Sequence, residues 1–138
     1  MSKKNKNLIR RRDSRERAVQ ILFSLDINKV DDLSMYLKDY QKEVYPSLKE
    51  DDYLLETING ILKNKNEIDD IISKKIDFTN TDLSKVVLAV LRLGVYEIVF
   101  EKLAKPIAIS EAINIVKKYS SNADIGLVNA FLDSLNAE

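Results

Sequence analysis

DLSKVVLAVLRLGVYEIVF, residues 82–100, decides the fold. Only Asp82, Lys85, Arg92 and Glu97 are charged in it, and apolar residues occupy every side of a helical wheel. A helix that is apolar all round belongs inside a protein, with other helices packed about it. A membrane span is excluded, because the uncharged run over residues 86–91 falls far short of the roughly 20 residues a bilayer requires. Arg92 and Glu97 follow that run directly. The stretch therefore predicts a buried central helix in a small all-helical protein.

Working outward, Thr79-Asn80-Thr81-Asp82 carries a capping signal that would start this helix. Residues 101–106 form a charged connection. Ser110 then caps a helix with Ala112, Ile113, Val116 and Tyr119 inward and Lys117 and Lys118 outward. Residues 122–124 make a turn, and Val128, Phe131, Leu132 and Leu135 face inward from a last helix. On the N-terminal side, Asn66 opens a short helix carrying Ile68, Ile71, Ile72 and Ile76. Asp51 or Asp52 caps another with Leu54, Leu55, Ile58, Ile61 and Leu62 on one face. Leu33, Tyr36, Leu37, Tyr40 and Val44 repeat at helical spacing until Pro46 limits them. The first helix is expected over residues 14–26, with Ala18, Leu22 and Leu25 on one stripe flanked by Val19 and Ile21, and a polar turn over 28–32 follows it. The count is about seven helices, with no strand and no internal repeat.

Composition agrees with that count and narrows the chemistry. Three glycines and two prolines in 138 residues leave little turn punctuation for a multi-stranded sheet. The absence of cysteine rules out a disulfide, a thiolate metal site and a Cys nucleophile, and suits a cytoplasmic location. The absence of histidine removes the commonest general base and metal ligand. Nine carboxylates crowd residues 26–56, but without the spacing or the turn glycine of a calcium loop, so they read as a solvated face. No nucleophile, base and orienting group stand together. Neither an enzyme nor a cofactor is expected.

A net charge of zero conceals an asymmetry. Residues 1–17 carry eight basic groups against two acidic ones, a net +6, so the remaining 121 residues, with 14 basic and 20 acidic, carry −6. A basic end on an acidic body points to a polyanion at that end. Residues 1–9 are expected as a flexible basic arm, and 10–138 as the helical domain. Asp13 resembles an N-cap with Glu16 as its capping-box partner, which sets Arg10, Arg11 and Arg12 just ahead of a helix N-terminus. Arginine forks grip phosphates in pairs of hydrogen bonds. Arg10, Arg11, Arg12 and Arg15 are thus candidate RNA-binding residues, and Phe23, farther along the helix, could stack a base or simply fill the core. The plain alternative for the basic end is a solvated tail without function.

Arg92 and Glu97 interrupt the central helix and need partners if buried. Five residues apart, they face one another poorly, so each is expected to find a tertiary partner. Asn129, between Val128 and Ala130, is expected as a buried amide bridging two backbones.

Two groups of residues resemble a known family. RRRDSRERAVQILFS, residues 10–24, is similar to the opening of the NusB family of bacterial transcription antitermination factors, an arginine run entering a helix of the type RRxARExAxQxLY. AVLRLGVYEI (89–98), AISEAINIVKKYS (108–120) and LVNAFLDSL (127–135) resemble the family's ILRLAVYEL, VINEAVELAKKFG and FVNGVLDKI, in the same order. The resemblance covers well over half of the chain and is weakest over residues 26–78.

It implies an all-α fold, a single compact domain of two packed helical subdomains around the buried helix. It further implies binding of boxA, a single-stranded RNA element of ribosomal RNA leader transcripts, as a heterodimer with NusE, a small-subunit ribosomal protein. That complex joins NusA, NusG and RNA polymerase, with no membrane involved. Arg10, Arg11 and Arg12 match the family's RNA-contacting arginines, and Phe23 its usual Tyr. Arg92, Tyr96, Glu97, Glu111 and Asn129 match core motifs of structural character. The chain departs from the family at Ser110 for Asn, Ala130 for Gly, Val87 for a polar residue, and Ala123 and Gly126 for an acid and a base. Ser120 replaces a glycine, where a left-handed turn would be less comfortable. Two other roles fit the same fold: a diverged RNA or protein interaction module, and a detached domain related to the one that precedes the catalytic domain in some ribosomal RNA cytosine methyltransferases.

Overall fold

The computed structural model describes residues 3–78 and 82–136, with side chains from Arg11 onward. Among the described residues it holds seven α-helices and no strand: α1 (Lys3–Asn28), α2 (Leu33–Glu43), α3 (Asp52–Lys63), α4 (Lys65–Ser73), α5 (Lys85–Val95), α6 (Lys105–Tyr119) and α7 (Asn122–Asp133). The chain divides into two compact units, Met1–Asn59 and Gly60–Glu138.

In the first unit α1 begins at Lys3, not Ser14, so Asp13 lies inside the helix and is no N-cap. The cause is the absence of glycine and proline from residues 3–28, together with the good helix propensity of Lys, Arg and Leu. The arm expected over residues 1–9 falls on residues 1–2, outside the described residues, and on a stretch whose side chains also lie outside them. Ala18, Val19, Ile21 and Leu22 are buried along α1 as their spacing predicts. The helix stops at Lys29, which takes a left-handed φ of 49°. Asp32 then caps α2, its carboxylate accepting from the Met35 N–H at 3.1 Å. Val44, expected to face inward, ends α2 at 54% exposure. A short 3-10 turn, Leu48–Glu50, leads to Asp51, whose carboxylate caps α3 by accepting from the Leu54 N–H at 3.0 Å.

In the second unit α5 is the element against which α4, α6 and α7 all pack. Every residue from Val87 to Val95 in it is buried, Arg92 included, which is the burial its all-round apolarity demands. Its cap is Ser84, whose hydroxyl accepts from the Val87 N–H at 3.1 Å. The cap expected at residues 79–81 lies outside the described residues. Gly94 lets α7 approach: a Cβ there would stand 2.6 Å from Leu132 Cδ2. The helix then widens into a π-helical turn, Tyr96–Phe100, whose two terminal rings stack with centroids 6.1 Å apart.

Two boundaries move outward from their expected positions. α6 starts at Lys105, so Ser110 is an interior residue; Pro106 sits in the first turn, where its missing N–H costs nothing. α7 begins at Asn122, so residues 122–124 are helical. Ser120 is extended, with φ −144° and ψ 172°, so this junction asks for no left-handed residue. The carbonyl end of α7 receives two ammonium groups: Lys105 Nζ donates to Asp133 O at 2.8 Å and Lys75 Nζ to Ser134 O at 3.3 Å. Both neutralise the negative end of the helix dipole.

Candidate nucleic-acid interface

Ser14 of α1 meets a buried carboxylate, and arginines of α1 meet two tyrosines. Asp51 is 4% exposed, and its Oδ2 accepts from Ser14 Oγ at 2.6 Å and from the Tyr45 hydroxyl at 2.9 Å. With Oδ1 on the Leu54 N–H, this one group ties α1, the loop before the 3-10 turn and the start of α3 together. A buried carboxylate with several donors is satisfied rather than strained. In the first turn of α3, Tyr53 lies under two guanidinium groups, with Arg11 Cζ 5.2 Å and Arg15 Cζ 5.5 Å from its ring centroid. Tyr45 carries Arg17, whose Cζ is 3.8 Å from the ring centroid. Such cation–π contacts each contribute about 0.5–1 kcal/mol at exposed sites.

Beside them Tyr36 and Tyr40 stack on α2, centroids 6.2 Å apart. The Tyr40 hydroxyl is buried and makes no hydrogen bond of good geometry. Desolvation pushes its pKa above the ordinary 10.0, against the lowering pull of the Arg17 guanidinium.

The arginines expected to bind RNA therefore differ in their settings. Arg11 and Arg12 are exposed on α1, and the Arg10 side chain lies outside the described residues. Arg15 is only 6% exposed, and Phe23 is half-buried. The helix brings Arg11 and Arg15 onto one ring because residues four apart share a face.

Of the residues expected in the core, Arg92 is buried and forms a two-pronged pair with Asp69 of α4, Nε to Oδ1 at 2.8 Å and Nη2 to Oδ2 at 3.1 Å. Tyr96 is buried and donates to Glu101 Oε1 at 2.5 Å; Glu97 is buried and Glu111 half-buried. Asn129 contradicts expectation by being exposed. The buried stripe of α7 is Val128, Phe131, Leu132 and Leu135, and a residue one step past Val128 turns about 100° away from it.

Sequence reading missed Asp51, Tyr45 and Tyr53 as parts of this face. The local signal was two tyrosines, one directly before Pro46 and one beside the cap of α3. Among the described residues no acidic cluster is placed to hold a metal, and no helix is long and apolar enough to cross a membrane.

Comparison with known proteins gives the family. The NusB family model matches residues 12–137. A transcription antitermination protein NusB of Listeria monocytogenes serotype 4a is 34% identical over 132 residues, covering 94% of this chain and 98% of the relative. That of Clostridium novyi is 36% identical over 129 residues, covering 91% and 96%. A solved structure of T. maritima NusB superposes with a TM-score of 0.74 at 34% identity, covering 89% of this chain and 87% of the other. The names of these relatives describe antitermination and no enzymatic reaction. With a family model spanning nearly the whole chain, and relatives a third identical over nearly their full length, the chain belongs to the NusB family.

Proposed function

We propose that this chain is an RNA-binding transcription antitermination factor, acting in the cytoplasm on boxA of ribosomal RNA leader transcripts together with NusE. The observation that carries the reading is the exposed Arg11–Arg12 pair at the basic end of α1, in a chain whose relatives are named transcription antitermination proteins. The mechanism needs no bond chemistry. Guanidinium groups of α1 take phosphates of a single strand, releasing its counterions. Unstacked bases meet aromatic and polar groups, with Phe23 the aromatic on α1. The remaining chain, at net −6, offers an acidic surface to NusE, and the pair joins NusA, NusG and RNA polymerase.

The test is RNA binding with and without NusE, using a boxA oligonucleotide and a scrambled one at two salt concentrations. Preference for boxA that sharpens on adding NusE is the expected result. Equal, weak and salt-sensitive binding to both, unchanged by NusE, would leave a NusB-family protein with another role.

A further inference from the structure

We propose that Tyr53 and Tyr45, held in register by the buried Asp51 carboxylate, are positioning residues that set the arginines of α1 for phosphate. The inference rests on the RNA-binding reading and adds a part of the site that lies outside α1. An exposed arginine samples many rotamers, and ordering it on a phosphate opposes binding. Here that ordering is built into the free protein. Arg11 Cζ lies 5.2 Å from the Tyr53 centroid, so the ring supports the cation from one side while the exposed side chain keeps N–H groups for a ligand. Arg15, 6% exposed and 5.5 Å from the same ring, braces the platform four residues along. Arg17 on Tyr45, at 3.8 Å, repeats the arrangement two residues farther along α1.

The two rings do not float. Tyr45 donates to Asp51 at 2.9 Å, and the same carboxylate caps the helix that carries Tyr53. Ser14, between the stacked arginines, donates to it at 2.6 Å. Asp51 thereby fixes the distance from α1 to both platforms. It has a further electrostatic consequence: the Asp51 carboxylate is covered and hydrogen-bonded, so phosphate approaching from solvent does not meet it directly.

The test uses the full chain with a boxA RNA oligonucleotide over a salt series, with thermal melting of each variant as the check on folding. Tyr53→Leu removes the platform, and Tyr53→Phe keeps the ring. Tyr53→Leu is expected to weaken binding about fivefold and to flatten the log K against log salt line by about 0.7, the loss of one phosphate contact. Tyr53→Phe restores the wild-type line. In an Arg11→Ala background Tyr53→Leu should add little, because the two act through one contact. Arg11→Lys, an exposed change that leaves the core alone, keeps the charge but not the plane, and is expected to bind about threefold more weakly. Wild-type binding by both Tyr53→Leu and Arg11→Lys, or losses that multiply in the double variant, would overturn the proposal. A wild-type protein that binds no RNA would overturn the RNA-binding reading beneath it, and is distinguished by that first measurement.

Discussion

Arg92 of α5 holds both oxygens of Asp69 on α4, at 2.8 and 3.1 Å, with the arginine side chain 7% exposed and the aspartate 24%. The charge breaks an otherwise apolar helix, yet the geometry satisfies it from a neighbouring one. Removing the aspartate should therefore hurt more than its partial exposure suggests, because it strands a buried guanidinium. Asp69→Ala is expected to cost about 3 kcal/mol. Replacing both residues by apolar ones of similar size should recover much of the loss, and urea melts of the single and double variants measure both.

Gly60 makes the opposite kind of prediction. In a helix interior, Gly→Ala ordinarily gains up to about 1 kcal/mol. At Gly60, though, a Cβ collides with the Tyr96 ring and hydroxyl. That ring cannot swing aside cheaply, since it is buried, stacked on Phe100 and bonded to Glu101. Gly60→Ala is expected to destabilise by about 1–3 kcal/mol. Tyr96→Leu in the same chain should return part of that loss, seen as a positive coupling in a double-mutant cycle.

The buried Tyr40 hydroxyl predicts a pH effect with a definite sign. Below pH 10 both folded and unfolded chains keep this proton, so it contributes no slope. Above the unfolded value of 10.0 the unfolded chain releases the proton while the folded one still holds it. The unfolded state then binds fewer protons, and stability falls as pH rises. Tyr40→Phe should flatten the stability curve above pH 10. At neutral pH it should change stability by less than about 1 kcal/mol, because the hydroxyl it removes makes no hydrogen bond of good geometry. Equal alkaline slopes for the two proteins would refute the assignment.

What the sequence disclosed followed from local physics. The burial of α5 was legible because no face of it is polar, and a cap at Asp51 or Asp52 was legible because acids precede an amphipathic run; the Leu54 N–H selects Asp51. Asp13 and Ser110 carried the same kind of signal and misled, because a capping residue also fits inside a helix when nothing upstream stops the chain. Asn129 misled for another reason: its neighbour Val128 is buried, but one residue is enough to leave the face. The platform under Arg11 was not legible. Tyr53 stands 42 positions away in sequence, and only the path of the chain through α2 and the Asp51 junction brings it to α1.

The arginine run itself makes the last prediction, and the structure sharpens its arithmetic. Five arginines lie on α1, and five phosphate contacts at roughly 0.7 each give a log K against log salt slope of about −3.5 for single-stranded RNA. Arg15 is buried beside Tyr53, so its withdrawal from phosphate would bring the slope to about −2.8. Replacing Arg10, Arg11 and Arg12 together by Ala should reduce the slope by about 2 while weakening binding to boxA and scrambled RNA alike, as loss of phosphate contacts does. Thermal stability should change little, since Arg11 and Arg12 are exposed and the Arg11 stack is worth about 0.5–1 kcal/mol. Arg15→Ala separates the two counts: an unchanged slope with a lowered melting temperature marks Arg15 as a brace for Tyr53, whereas a slope reduced by about 0.7 marks it as a fifth phosphate contact. An unchanged slope in the triple variant would move the phosphate contacts off residues 10–12.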